Sequence, residues 1–340
     1  MSDWDVHRPR GDRRAHGVRT RHDAPWLPGQ PGKITHFFFP GNGLCASGSV
    51  RGVINLGRRA LLGVVSSALL AAVVAAPSAH AESGPAADRS SVESASTAGF
   101  DPVLRARIAA AEAYGRSRPG FAGIVVRDRK TGAVWRNANS DTLIWACSTP
   151  KLAMVVDLLL RNDSGAITLT DDDRALMHAM LNSSDDNAAH TLWNRYGGED
   201  FFSRFANYGM TDARFTDEHP HHWGWILTTA DDLDRLINYV LEKLPKQHRD
   251  YIVSEMRSVA VNQQWGVWGA GAAARPGNKN GWSDDNDDGS WLMNSVGFVG
   301  PNERYTLAIM NNTQVVQGGY EVGMETTTRI SEIMFNGYFR

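Results

Sequence analysis

The chain has 340 residues, of which 42% are hydrophobic and 21% are charged, and its formal net charge is -2. This length and composition allow a sizeable buried core and indicate a soluble globular protein. Without residues 1–81, which we interpret below as an export region, 25 basic and 33 acidic residues remain, and that acidic excess excludes the basic surface that nucleic-acid binding needs.

The segment 51–81 has the pattern of a signal peptide. The pair Arg58-Arg59 precedes an unbroken run of small and apolar residues from 60 to 76, and Ala79-His80-Ala81 resembles a cleavage site. The run is shorter than the roughly 20 residues of a membrane-spanning helix. We therefore expect cleavage near Ala81, a secreted protein and no stable membrane anchor. The twin arginines resemble the twin-arginine export signal, with ordinary secretion and an uncleaved anchor as the alternatives.

Two segments beside the signal peptide lack the pattern of folded structure. Residues 1–50 are rich in Arg, Pro and Gly without apolar periodicity, so we interpret them as a disordered arm or as the result of a wrongly assigned start. Residues 82–98 read as a linker without aromatic residues. One folded domain is therefore expected over residues 99–340. Because Cys45 lies before the cleavage site, Cys147 is the only cysteine of that domain, and no internal disulfide is expected.

The domain is predicted to begin with a helix and a hairpin. Asp101 can cap a helix from 102 to about 116, because apolar residues recur there at helical spacing. A strand is predicted over 120–127 and a returning strand over 133–136. The turn between them spells Lys-Thr-Gly, which turn chemistry is sufficient to explain.

The middle of the domain is predicted to be helical and its end to be rich in strands. The predicted helices span 148–161, 171–181, 188–196, 199–208 and 229–244. The predicted strands span 278–283, 291–299 and 304–311, and a last helix spans 324–335. This order predicts an α/β (α+β) fold in which one antiparallel sheet, built from both ends of the domain, is flanked by helices. The helical block forms an all-α lobe, and the cleft between lobe and sheet is the expected site.

The first chemical motif is Ser148-Thr149-Pro150-Lys151, an S-x-x-K at the start of an apolar helix. This spacing places the hydroxyl and the amine one turn apart on the same helix face, as a serine nucleophile with a lysine base requires. The lysine can act near neutral pH only if burial or nearby positive charge lowers its pKa. The helix N-terminus also favours the developing oxyanion.

Two further motifs make the pattern specific. Ser184-Asp185-Asp186-Asn187 follows in the helical block, and Lys279-Asn280-Gly281-Trp282 lies on the first of the later strands. In order and context, the three motifs resemble the S-x-x-K, S-D-N and K-T-G motifs of class A β-lactamases and penicillin-binding proteins. The resemblance covers essentially the whole domain, because the predicted elements also follow in the order of that family.

The resemblance implies a role for each motif residue. Ser148 would be the nucleophile and Lys151 its base, Ser184 would relay a proton towards the leaving group, and Lys279 would supply positive potential to Ser184 and to a substrate carboxylate. These four residues are the candidate catalytic set. The backbone N–H groups of Ser148 and Trp282 would form the oxyanion hole.

The candidate substrate-binding residues are Asp186, Asn280, Gly281 and Trp282, and two of them depart from the family. Asp186 stands where the family has Asn, and its charge should raise the pKa of Lys151 unless the carboxyl group is protonated. Asn280 replaces a hydroxyl that helps to hold a substrate carboxylate. Gly281 is expected to let the strand approach the acyl group closely.

The residue that activates the deacylating water in class A enzymes has no counterpart in the sequence. The corresponding stretch, 216–222, lacks the E-x-x-L-N motif in which the family carries this Glu. Slow release of a β-lactam acyl group is therefore expected. Glu218 or His219 could substitute as the base.

Other polar and aromatic clusters have simpler explanations. His219, His221 and His222 lack the spacing of a helical zinc site, so we expect them to line the rim of the cleft. The turn at 284–289 begins like a calcium loop but lacks its bidentate Glu, so a hairpin turn is preferred. Cys147 has small and apolar neighbours and is expected to be buried. Four tryptophans can form an apolar wall to the cleft, namely Trp223, Trp225, Trp265 and Trp268.

Three functional hypotheses follow from these patterns. The first is a secreted serine hydrolase that forms an acyl-enzyme with a β-lactam, a cell-wall peptide or a related amide or ester. The second is a transpeptidase or acyltransferase with an amine acceptor. The third is a catalytically weak binding protein that keeps the cleft without turnover. In each case we expect a monomer, a small-molecule or peptide acyl substrate, and no metal or cofactor.

Overall fold

A computed structural model of the protein describes residues 96–284 and 288–339. The predicted N-terminal arm, the signal peptide and most of the predicted linker lie outside the described residues and stay predictions. Within the described ranges, no helix is long and apolar enough to cross a membrane.

The centre of the fold is a five-stranded antiparallel sheet with the strand order β2-β1-β7-β6-β5. Its first strand pairs along its whole length with the last, from Phe121 opposite Asn312 to Asp128 opposite Tyr305. The sheet therefore joins the two ends of the domain, as the sequence predicts. The strands are β1 Phe121–Asp128, β2 Val134–Arg136, β5 Gly277–Ser283, β6 Leu292–Val299 and β7 Tyr305–Asn312.

A second sheet consists of only two short strands, β3 Ile144–Trp145 and β4 Leu227–Thr228. The sequence analysis does not predict this pair. It ties the residues before Ser148 to a later loop of the helical lobe, because Ala146 N also donates to the Ile226 carbonyl at 2.7 Å.

Two helices cover one face of the large sheet, α1 Pro102–Arg116 and α8 Gly319–Phe335. The Asp101 side chain caps α1 by accepting hydrogen bonds from the backbone N–H groups of residues 103 and 104. One face of α1 is buried, and its residues recur at helical spacing. They are Leu104, Ile108, Ala111 and Gly115.

Six helices lie between β3 and β5, and α2 is the most deeply buried of those that the structure describes. Every residue of α2 from Pro150 to Leu159 is buried, including the charged Lys151 and Asp157. A helix that is buried on all sides lies in the centre of its lobe. The six are α2 Pro150–Asp163, α3 Asp171–Asn182, α4 Asp186–Arg195, α5 Asp200–Phe205, α6 Ala230–Glu242 and α7 Lys246–Arg257.

The fold class predicted from the sequence is confirmed, since an antiparallel sheet is flanked by helices and is accompanied by an all-α lobe. Helix α6 joins the lobe to the sheet. Its buried Asp234 accepts hydrogen bonds from Arg127 on β1 and, at 2.9 Å, from Thr306 on β7. This contact fixes the lobe against the sheet and thereby fixes the cleft beside β5.

Candidate active site

The turn between β3 and α2 carries Ser148, which lies beside Gly281 of β5. Ser148 is half-buried, and Cys147 before it has a left-handed φ of 54°, a strained conformation for a residue with a side chain. Asn294 on β6 donates its side-chain N–H to the Trp145 carbonyl at 2.9 Å. The sheet thus holds the turn in the orientation that exposes the Ser148 hydroxyl.

Lys151 lies directly beneath this hydroxyl, and its side chain is completely buried. Its Nζ donates to Ser148 Oγ at 3.0 Å, to the Ser184 carbonyl at 2.7 Å and to Asp186 Oδ1 at 2.5 Å. Burial lowers the pKa of Lys151 below its ordinary value, because a buried amine loses the hydration of its charged form. The carboxylate of Asp186 opposes this shift.

Ser184 connects the two lysines of the site. Its backbone is left-handed, with a φ of 62°, so that the carbonyl meets Lys151 while the side chain meets Lys279. Lys279 Nζ donates to Ser184 Oγ at 2.8 Å. Burial, followed by the charge of Lys151, holds the pKa of Lys279 well below its usual range. The structure therefore brings the four candidate catalytic residues, including Ser148, into one continuous chain of polar contacts.

The mouth of the site carries negative charge. Asp185 caps α4 by accepting a hydrogen bond from Ala188 N at 2.7 Å. Asp186 begins the helix, and its side chain is 68% exposed although it pairs with the buried Lys151. The carboxylate is thus open to solvent on one side and in contact with the Lys151 amine on the other.

Neighbouring residues of β5 face opposite sides of the sheet. Lys279 faces Ser184, whereas Asn278 and Asn280 both donate their side-chain N–H groups to the Gln263 carbonyl, at 3.1 and 2.8 Å. Asn280 is buried in this contact, and a role for it in substrate binding stays a prediction. Its amide fixes the 263–265 segment against β5.

Gly281 brings β5 against the nucleophile turn, and Gly281→Ala is expected to push them apart. A Cβ at this position would lie 2.7 Å from Ser148 N, 2.8 Å from Ala146 O and 3.0 Å from Thr149 N. These are backbone atoms that cannot rotate away, and overpacking of this kind costs about 1–3 kcal/mol. Both Tm and the rate of acylation should therefore fall.

Gly115→Ala in α1 is the matched control for this substitution. The added Cβ there would lie 3.6 and 3.7 Å from its nearest neighbours, which is ordinary contact. Thermal unfolding and acylation by a reactive penicillin measure both effects. An unchanged Tm and acylation rate in Gly281→Ala would show that β5 does not approach the nucleophile this closely.

Aromatic residues surround the polar centre, as the sequence analysis expects for the wall of the cleft. The Trp223 ring centroid lies 4.5 Å from Lys151 Nζ, and Trp265 packs edge-on against Trp282 at 6.0 Å. His219 stacks on Trp225 at 4.5 Å. A water-activating role for His219 stays a prediction.

The remaining polar clusters have partners within the fold. His221 contacts Glu199 at 3.0 Å, and His222 contacts His190 at 2.9 Å. Across residues 96–284 and 288–339, no group of three or more His, Cys, Asp or Glu side chains is arranged to hold a metal ion. The calcium-like turn lies partly outside the described residues. Cys147 is buried, in agreement with the expectation from its neighbours.

The sequence analysis misses two residues that position this site. Asn294 is a polar residue inside an apolar strand, and such a residue needs a buried partner, so its anchoring role could have been suspected. Trp223 was considered only as part of a general apolar wall. Its contact with Lys151 follows from the path of a loop, for which the sequence has no periodic signal.

Known proteins resemble this chain in sequence and in fold. A family model described as "Beta-lactamase enzyme family" matches residues 172–338, a range that includes Ser184 and Lys279 and begins after Lys151. The "Putative lipoprotein LppW" of Mycobacterium tuberculosis and of Mycobacterium bovis is 29% identical over 196 residues. That match covers 55% of this chain and 61% of the relative, so it spans less than two thirds of the relative's length.

Solved structures show the same architecture. A β-lactamase from Sphaerobacter thermophilus has a TM-score of 0.55 and 20% identity, and the match covers 69% of this chain and 96% of that protein. An ancestral class A β-lactamase has a TM-score of 0.54 and 19% identity, with 68% and 98% covered. The family match and the shared fold confirm the resemblance to the serine β-lactamase and penicillin-binding protein superfamily that the three motifs predict.

Proposed function

We propose that the protein is an exported serine hydrolase of the β-lactamase-like type, which forms an acyl-enzyme on Ser148. The observation that carries this proposal is the 3.0 Å contact between Ser148 Oγ and Lys151 Nζ, beside a second contact of 2.8 Å between Lys279 and Ser184. A hydroxyl in contact with a buried amine of lowered pKa is the arrangement that activates a serine.

Each motif residue of the site has a defined part in the proposed acylation. Ser148 Oγ forms a bond to the acyl carbon while the bond from that carbon to the leaving nitrogen or oxygen breaks. The hydroxyl proton passes to the amine of Lys151 and then through Ser184 to the leaving group. Lys279 holds the Ser184 hydroxyl in place at 2.8 Å. The backbone N–H groups of Ser148 and Trp282 stabilise the oxyanion.

The acyl donor belongs to the class of β-lactams, cell-wall peptides and related amides or esters. The ester on Ser148 is then released by water in a hydrolase or by an amine in an acyltransferase. Export agrees with the name of the mycobacterial relative, a lipoprotein, and with the signal-like segment 51–81 of this chain. We place the mature protein at the exterior of the cell envelope, with a mature N-terminus near Glu82.

A burst of one acyl group per protein, followed by slow release, is the expected result with a β-lactam. The reason is that the 216–222 loop lacks the E-x-x-L-N motif whose Glu activates deacylating water in class A enzymes. Intact-mass spectrometry of the mature protein with benzylpenicillin and with p-nitrophenyl acetate, followed over time, measures the adduct directly. Stopped-flow acylation paired with steady-state turnover separates the two steps.

The outcomes of this experiment distinguish the candidate functions. A persistent adduct on Ser148 supports a binding protein or a transferase, and a slowly released one supports a hydrolase. Fast steady turnover without a burst, lost in His219→Ala or Glu218→Gln, would show that the loop supplies its own base. Absence of any adduct with both reagents would exclude the acyl-enzyme function.

A further inference from the structure

The indole of Trp223 covers the side of the Lys151 amine that the polar groups of the site leave open. The amine contacts Ser148, the carbonyl and the hydroxyl of Ser184, and Asp186, and the Trp223 ring centroid lies 4.5 Å from Nζ. Trp223 is itself only 6% exposed, and the Lys151 side chain is completely buried. Four polar groups and one aromatic face therefore enclose the amine.

A histidine pair fixes the turn that carries Trp223 to α4. His222 Nδ1 accepts a hydrogen bond from Gly224 N at 3.2 Å, so the ring proton resides on Nε2, which donates to His190 Nδ1 at 2.9 Å. Burial, together with His190, lowers the pKa of His222 to about 4, so that His222 is neutral at pH 7. Because His190 lies one helical turn after Asp186, this bond links the Trp223 turn to the helix at the mouth of the site.

The same turn is fixed on its other side to the segment before the nucleophile. Immediately after the turn, the Ile226 carbonyl accepts from Ala146 N at 2.7 Å, and β4 then pairs with β3. The rings of His222 and His190 also lie against the indole, at 4.9 and 5.8 Å. Contacts with α4 on one side and with the segment before Ser148 on the other therefore fix the position of the indole.

An indole has one N–H donor and no acceptor, so it cannot take a proton from water. We propose that Trp223 is a positioning residue that keeps water away from Lys151 and thereby makes an acyl group on Ser148 long-lived. This inference rests on the proposed acyl-enzyme function. In hydrolysis, the water oxygen bonds to the acyl carbon, the bond from that carbon to Ser148 Oγ breaks, and a proton of water passes to the Lys151 amine and then to Ser148 Oγ. Water follows this route only if it reaches the amine beside the ester.

The test compares Trp223→Ala with the wild type and with Trp291→Ala. Trp291 is the matched control because it is a half-buried tryptophan whose ring packs on Tyr320 of α8, at 5.3 Å, and not on Lys151. Each protein is acylated with benzylpenicillin or p-nitrophenyl acetate, desalted, and followed by intact-mass spectrometry. We expect the Trp223→Ala ester to be lost about tenfold faster or more. Trp223→Phe, which keeps an aromatic face, should restore the half-life of the wild-type ester, and the control should keep that half-life.

Equal ester half-lives in Trp223→Ala and in the wild type would overturn the inference. A Trp223→Phe ester that is lost as fast as the Trp223→Ala ester would overturn the part that assigns the effect to the aromatic face over Lys151. A wild type that forms no adduct would instead overturn the proposed function, so the two failures are distinguishable. If Trp223→Ala does not fold, Trp223→Leu gives the same comparison with an apolar side chain of smaller volume, and the same two outcomes decide it.

Discussion

Ser148→Ala is expected to abolish the covalent adduct, and Lys151→Ala is expected to slow its formation by about 10²–10⁴-fold, the usual contribution of a general base. In the proposed mechanism, Ser148 supplies the oxygen atom of the ester, and Lys151, which lies 3.0 Å from that oxygen, receives its proton. Loss of the amine also leaves Asp186 and the Ser184 carbonyl without their shared donor. The rate of adduct formation with benzylpenicillin, measured by quenched-flow mass spectrometry, gives both effects.

Two exposed residues provide matched controls for these variants. Ser183→Ala removes a hydroxyl next to Ser184 that bonds only locally, at 3.1 Å, to the Ala179 carbonyl. Lys246→Ala removes a lysine whose side chain is 79% exposed on α7. Both should acylate at the wild-type rate. A folded Lys151→Ala protein, verified by near-ultraviolet circular dichroism, that acylates at full rate would remove lysine from the mechanism.

The centre of the candidate site could be predicted from the sequence because its geometry is largely local. Ser148 and Lys151 are three residues apart at the start of one helix, and that spacing alone brings the hydroxyl to the amine. Ser184 and Lys279 come from distant parts of the chain, and only the order of the three motifs predicted that they meet there. The structure brings these four side chains together, while their chemical roles stay predictions.

The surroundings of the site could not be predicted in the same way. Asn280 shares a motif with Lys279, but strand alternation turns it to the opposite face, where it holds the Gln263 carbonyl. Trp223 reaches Lys151 through a loop whose path depends on the His190–His222 contact and on the β3–β4 pair. These contacts are tertiary, and no spacing within the sequence encodes them.

Most elements of the fold were predicted to within a few residues, and α7, Lys246–Arg257, was missed. It buries Ile252, Val253 and Met256 on one face, and Pro245 precedes it, so a helix signal was present among many charged residues. The buried positions of α7 are separated by charged residues, so its apolar pattern is short and weak.

The last helix was predicted to begin at 324 and begins instead at Gly319. Its first turns contain Gly319 and Gly323, which are poor helix formers. A Cβ at Gly319 would lie 2.4 Å from the Trp291 ring, and one at Gly323 would lie 2.4 Å from Met293. Tertiary packing therefore selects glycine at these positions, and it overrides the local propensity from which the sequence prediction was made.

Asp186→Asn restores the residue that the family motif carries. This variant is expected to move the acid limb of the acylation profile, the pH range in which the acylation rate rises towards its plateau, to lower pH. The carboxylate lies 2.5 Å from Lys151 Nζ and raises the pKa of Lys151, in opposition to the burial that lowers it. Without that charge, the pKa of Lys151 falls further, and more of the amine is neutral at each pH below the plateau. Asparagine keeps a carbonyl oxygen that can accept from the amine, so the contact itself is conserved.

The size of the effect follows from the protonation of a single base. Below its pKa, the neutral fraction of a base changes tenfold per pH unit, so each unit by which the pKa of Lys151 falls raises the acylation rate there by about tenfold. Stopped-flow acylation by benzylpenicillin between about pH 5 and pH 9 measures the shift. Asp185→Asn is the matched control. It removes the same charge one residue away, where the carboxylate raises the pKa of Lys151 less, and asparagine can still cap α4. A profile that is unchanged in Asp186→Asn, or that moves to higher pH, would show that this carboxylate does not set the protonation of Lys151.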